Sequence, residues 1–258
     1  MNPLLPTGLT GVLAVWRRNI KVWRRLIGPS LLVNFGEPLL YLLGLGYGLG
    51  RFIESMNGMP YLSFLAAGIV AASAMTAASF EANYSVYTRM VPQRTYDAMM
   101  ATPLSVPDIL AGELVWCATK SLINGSAILL VAVSLGIASS WLSLWVIPAT
   151  FFIGLCFAGP ALIMTAYASS YDFFNYYQTL ILMPMTMLSG VFFPVDGLPF
   201  VLQQLIQLLP LIHAVELVRP LMAGQWPADL VLHCTVLCIY TVFGYVVAVR
   251  LIRKRLVV

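Results

Sequence analysis

Six apolar runs, near 31–49, 61–80, 109–137, 144–167, 176–193 and 230–251, account for most of this chain's 258 residues. A run of about twenty apolar residues matches the roughly 30 Å of hydrocarbon in a bilayer. Within lipid the backbone must satisfy its own polar groups, which leaves helices or closed barrels. The runs are too long for barrel strands, so the chain reads as an all-α integral membrane protein with six transmembrane helices. Charged residues make up only 9% of the sequence and hydrophobic residues 60%, against about a quarter charged in soluble domains. Links between runs are short, and residues 1–258 read as one domain.

The basic residues orient the bundle. Arg17, Arg18, Lys21, Arg24 and Arg25 precede the first run, Arg89 and Arg94 follow the second, and Arg250, Arg253, Lys254 and Arg255 close the last. An even number of spans puts these groups on one side, which the positive-inside rule makes the cytoplasm. Both termini and the segment 88–108 are then cytoplasmic, while 194–229 is extracytoplasmic. The net charge of +4 reports topology and implies no nucleic-acid partner. No short apolar core precedes the basic cluster, so no cleavable signal is expected.

Between the runs, three segments carry polar or amphipathic pattern. Over 8–28 apolar residues recur at three- and four-residue steps (Leu9, Val12, Leu13, Trp16, Ile20, Trp23, Ile27) with basic residues opposite, an interfacial helix facing membrane lipids. The segment 88–108 permits two helical turns over Arg94 to Ala101, stopped by Pro103 and Pro107. Tyr96, Met99 and Met100 are expected to be exposed there, offering soft apolar contact to a cytoplasmic partner, the alternative being a loop packed on its own bundle. From Met187 to Gly224 a half-apolar stretch broken at Pro199, Pro210 and Pro220 fits short helices that re-enter or lie on the membrane.

Polar residues inside the runs are the candidates for function. Glu37 lies two turns into the first, and Glu113, Trp116, Lys120 and Asn124 share one helix face of the third. Such charges seldom face lipid. They read either as a structural ion pair, with Glu81 a possible partner for Lys120, or as a lining that cargo touches. Tyr176 and Tyr177 stand where an amphiphile would enter from the inner leaflet. Cys117, Cys156, Cys234 and Cys238 fall within spans, and Cys234-x-x-x-Cys238 beside His233 lacks a second ligand pair, so no metal is expected.

Nucleotide chemistry is absent from this chain. Lys21, Lys120 and Lys254 are its only lysines, and none follows a glycine as a P-loop requires. A membrane-embedded enzyme using His213 and Glu216 lacks a paired nucleophile. A non-transporting scaffold is the other alternative.

Several motifs resemble ABC-2 type transporter permeases. Ser189-Gly190-Val191-Phe192-Phe193-Pro194 and the Pro210 to Leu221 stretch, with His213, Glu216 and Arg219, are similar to the family's last extracytoplasmic loop. Pro38-Leu39-Leu40-Tyr41 leading to Gly44, Thr95-Tyr96-Asp97-Ala98-Met99-Met100, and Gly112-Glu113 followed by Trp116 and Lys120-Ser121-Leu122 resemble its nodulation J branch. The resemblance implies a permease for a lipo-oligosaccharide or lipid-linked glycan in the bacterial inner membrane, with a hydrophobic drug exporter as the alternative. It also implies a homodimer on two copies of a cytoplasmic ABC ATPase, which binds ATP and Mg while this chain binds no cofactor. Arg94, Tyr96, Asp97, Met99, Met100 and Thr102 are the coupling residues it implies, and Glu37, Glu113, Trp116, Lys120, Tyr176 and Tyr177 remain candidates for the substrate path.

Overall fold

Apolar side chains and a backbone that must bond to itself turn the long runs into helices. A computed structural model describes residues 4–53, 55–138 and 140–256. Within its helices the side chains at positions 26, 29–35, 37, 38 and 47 lie outside the described set, so the expectation for the Glu37 side chain falls outside the described residues.

Helix α1 (Leu9–Trp23) leads through a 3₁₀ turn at Arg24–Leu26 directly into α2 (Ile27–Leu49). A two-residue hairpin follows, β1 (Ser55–Met56) against β2 (Met59–Pro60). Its turn, Asn57-Gly58, has φ of 51° and 76°, the positive values that tight hairpins demand. Next come α3 (Tyr61–Phe80), a π-helical segment at Glu81–Val86 and α4 (Tyr87–Met90), which run on as one rod. The short α5 (Thr95–Met100) precedes α6 (Val106–Ser134) and α7 (Val146–Tyr167). Then α8 (Phe173–Tyr177), a π segment at Gln178–Leu182 and α9 (Met183–Leu188) form a continuous helical stretch. The chain finishes with α10 (Phe200–Ile206), α11 (Pro210–Met222) and α12 (Leu230–Leu256).

Among the described residues four helical stretches are long and apolar enough to cross a membrane: Tyr61–Met90, Val106–Ser134, Trp141–Tyr167 and Leu230–Leu256. The pair α10 and α11, bent by 86°, adds a fifth if taken as one broken span. The run read at 176–193 is shorter as helix than as sequence. It stops at Ser189-Gly190, where Gly190 has φ 75°, and at 1.5 Å per residue the stretch from Phe173 to Leu188 rises only about 24 Å. The run at 61–80 behaves oppositely, since its helix continues to Met90 and takes Arg89 into the bundle.

Helix α7 is the hub, packed on α12, α6 and α3. Small residues let the backbones meet. A Cβ on Gly159 would sit 2.9 Å from the Gly244 Cα of α12. Helix α1 lies on α6, seated at Gly112, where an added Cβ would meet Val15 Cβ at 2.6 Å. Its buried face is Val12, Val15 and Asn19, while Leu9 and Leu13 face outward. The apolar residues of 8–28 are therefore divided between bundle and surroundings.

Candidate functional site

The second and third spans carry three charges that converge. Arg89 on α4 donates through Nε and Nη2 to the two carboxylate oxygens of Glu113 on α6, at 3.0 and 2.7 Å. Nη1 and Nη2 each reach Glu81 Oε1 at 3.2 Å. This is a two-pronged guanidinium–carboxylate pair with a second acid attached. Side-chain exposure is 13% for Arg89, 10% for Glu81 and 0% for Glu113. Glu81 and Arg89 stand eight residues apart on one rod, about 12 Å along its axis. Helical side chains tilt toward the N-terminus, so the long arginine reaches back up the helix to Glu81, which opens the π segment. Within that segment the Ala82 carbonyl accepts the Thr165 hydroxyl of α7 at 2.9 Å, a side-chain repair of the irregular ladder.

Two further elements close the cluster. From α1, Asn19 Nδ2 donates to Glu113 Oε2 at 2.9 Å and Trp16 Nε1 to Thr119 Oγ1 at 2.9 Å. Trp116 Nε1 donates to Glu81 Oε1 at 2.8 Å. Lys120 lies 5.2 Å over the Trp23 ring, which stands edge-on to Trp116. Thus Glu113, Trp116 and Lys120 do share a buried face, Lys120 stands close enough to Glu81 to feel its charge, and Arg89 bridges the two acids. From α5, the fully buried Tyr96 adjoins Glu113. Burial first, and then that carboxylate, push the phenol well above the ordinary tyrosine range, so it stands neutral beside the acid. A helix-start anchor lies nearby. Ser105 and Asp108 form a capping box at the start of α6, and the Thr7 amide and hydroxyl both donate to the Asp108 carboxylate at 2.7 Å.

The short α5 faces differently from the expectation of exposed Tyr96, Met99 and Met100. Tyr96 and Met99 are buried and Met100 half-buried, because residues three apart share one face and that face docks on the chain's own bundle. Outward instead are Arg94, Asp97, Ala98, Ala101 and Thr102. Arg94, at φ 48°, makes the left-handed turn that opens α5.

At the other end of the bundle Arg219 Nη2 donates to the Gly190 carbonyl at 2.5 Å, and its guanidinium stacks 3.7 Å from the Phe64 ring. These contacts fasten α11 to the Ser189–Pro194 turn, whose Phe193 is exposed and Pro194 half-buried. His213 is buried against His233 of α12, and Glu216 sits one turn along α11, partly exposed. On α10, Phe200, Val201 and Leu205 point outward, an apolar face suited to lipid contact.

A cavity of about 410 Å³, not foreseen from the sequence, opens between α2, α3 and the α8–α9 stretch. Apolar groups line most of it, including Tyr41, Ile69 and Phe192, with Thr76, Asn124 and Gln178 as polar points. Asn124 Oδ1 and Gln178 Nε2 are buried and have no hydrogen-bond partner among the described residues. A largely apolar recess with a few oriented polar groups is how small-molecule sites are built. Tyr177 is buried and Tyr176 outward-facing on α8, and neither lines the cavity. The Asn124 position, at helical spacing from Glu113 and Lys120, was the available signal; Gln178 carried none.

A family model described as ABC-2 type transporter matches residues 10–223. The chain belongs to the ABC-2 type transporter family. Nodulation protein J of Rhizobium leguminosarum bv. viciae is 47% identical over 253 residues, covering 98% of this chain and 97% of the relative. Nodulation protein J of Neorhizobium galegae is 44% identical, covering 98% and 96%. More distant is the inner membrane transport permease YadH of Escherichia coli, 26% identical over 93% of this chain and 94% of its own. No solved structure matches significantly. As an ABC-2 member the chain is an integral membrane transport subunit, the permease of an ABC exporter, and association with an ABC ATPase comes with the family.

Proposed function

We propose that this permease exports an amphiphile of the lipo-oligosaccharide or lipid-linked glycan class from the bacterial inner membrane. Two copies pair, each with six spans and cytoplasmic termini, above two copies of a separate ATPase that alone binds ATP and Mg. The observation that carries the reading is near full-length likeness to nodulation protein J chains. The cavity supports it, since its apolar wall suits an acyl chain and Thr76, Asn124 and Gln178 suit hydroxyls or amides. Force enters through α5, whose Tyr96 adjoins Glu113, and through α1, whose Asn19 donates to it, and the Arg89 cluster makes these pieces move as one body. Paired carboxylates held this tightly act as a rigid joint, and cargo moves instead along the α2, α3 and α9 side. A hydrophobic drug exporter is the second reading, favoured by the mostly apolar lining.

Reconstitution of the permease with its ATPase in vesicles tests the assignment. ATP-dependent movement of a fluorescent fatty-acylated oligosaccharide, absent when either subunit is omitted, is the expected result. Movement of hydrophobic cations but of no acylated sugar would transfer the assignment to the second reading.

A further inference from the structure

The turn between α10 and α11 leaves backbone carbonyls to be satisfied, and α11 and α12 supply the donors. His213 Nε2 lies 2.9 Å from the Gln207 carbonyl, and Tyr240 of α12 donates to the Leu208 carbonyl at 2.7 Å. A carbonyl only accepts, so His213 carries its proton on Nε2 and presents a bare Nδ1. That Nδ1 is 3.0 Å from Nδ1 of His233. Glu216, three residues after His213 and so on the same face of α11, places Oε2 3.6 Å from the same His233 nitrogen. One ligand atom from each of the three residues lies within 4.8 Å of the others.

The geometry points to a divalent transition-metal site of the zinc class, built from His213 Nδ1, His233 Nδ1 and the Glu216 carboxylate. Metal–nitrogen bonds of about 2.0–2.1 Å at a tetrahedral angle separate two ligand atoms by roughly 3.3 Å. The observed 3.0 and 3.6 Å separations bracket that value. The donor set of two imidazoles and one carboxylate suits zinc, cobalt or nickel and does not suit magnesium or calcium, which take oxygen. A ring nitrogen donating to a backbone carbonyl while its opposite nitrogen faces the metal is the usual outer-shell support for a histidine ligand. Both rings are buried, whereas Glu216 is 39% exposed, leaving a fourth position open to water on that side. Arg219, the neighbouring cation on α11, is turned away to Gly190 and Phe64. A bound ion would pin the α10–α11 corner to the first turn of α12, so metal availability would set how freely this broken element moves. His213 and Glu216 stood out in the sequence as a pair, but His233 lies 20 residues from His213 with no ligand spacing motif to join it to them. Cys234 and Cys238 take no part, and Cys238 faces outward.

Purified permease in nanodiscs, stripped with chelator and titrated with Co(II), tests the site without reference to any transport activity. The expected result is one Co(II) per chain with the visible ligand-field bands of four-coordinate cobalt, bleached by stoichiometric Zn(II) and unaffected by Mg(II). His213→Gln and His233→Gln should abolish the bands, Glu216→Gln should weaken binding by on the order of tenfold or more, and the double change C234S/C238S should leave it intact. Absence of stoichiometric binding to the unaltered chain would overturn the site whatever the variants do. So would bands that survive in both histidine variants while they elute as folded protein, or bands that require the cysteines.

Discussion

Arg89 holds two buried acids, and its removal should be felt more than that of either acid. Breaking a buried ion cluster by deleting a cation that bridges two acids leaves uncompensated charge and costs about 3–5 kcal/mol, whereas neutralising the whole cluster is often tolerated. Arg89→Ala should therefore lower the unfolding temperature sharply and reduce monodisperse protein in detergent. The combined variant R89M/E81Q/E113Q should recover most of that loss. Thermal unfolding followed by size exclusion decides it; an R89A protein as stable as the unaltered one would show that the cluster is not a joint. The sequence placed Glu113, Trp116 and Lys120 on one face by spacing alone. It set Arg89 outside the span as a topology marker, because nothing in α-helical periodicity foretells that the helix continues through a π segment and that arginine reaches back eight residues.

At the scale of elements, α5 shows where pattern reading stops. Its proline-bounded helix and its extent were legible from 94–101. Which face turns inward was not, because a six-residue helix offers Tyr96 and Met99 either to a partner or to its own bundle with the same periodicity. The structure separates two substitutions that sequence alone would treat alike. Asp97→Arg combined with Ala98→Trp alters only the outward face, and should release the ATPase in co-purification while the permease keeps its unfolding temperature. Met99→Asp buries an unpaired charge against the bundle and should instead destabilise the permease itself. If both variants keep the ATPase bound, docking lies off α5. The cavity was illegible for a related reason, since it needs α2, α3 and α9 brought together and its polar points, Thr76 and Gln178, are unremarkable singly.

For the whole molecule, apolar runs and basic clusters carried the architecture, and the departures follow from backbone detail. The fifth run ends early at the Gly190 turn, and the stretch at 200–222 folds into a pair bent by 86°, which hydropathy does not register. The six-span reading, with termini in the cytoplasm, makes a direct prediction. In a cysteine-free background, cysteine placed at Gln204, which is exposed on α10, should react with an impermeant reagent added outside the cell. Cysteine at Gln93, exposed between α4 and α5, should react only after the membrane is opened, and the reverse pattern would invert the topology. In the proposed cycle cargo travels through the cavity beside α3 while the Arg89 cluster only transmits force. Thr76 lines that cavity and is itself exposed within it, so Thr76→Trp fills the path without displacing buried core. ATP-driven movement of the acylated oligosaccharide, measured in vesicles containing the assembled complex, should fall at least tenfold with this variant although the ATPase still co-purifies; undiminished movement would contradict the account.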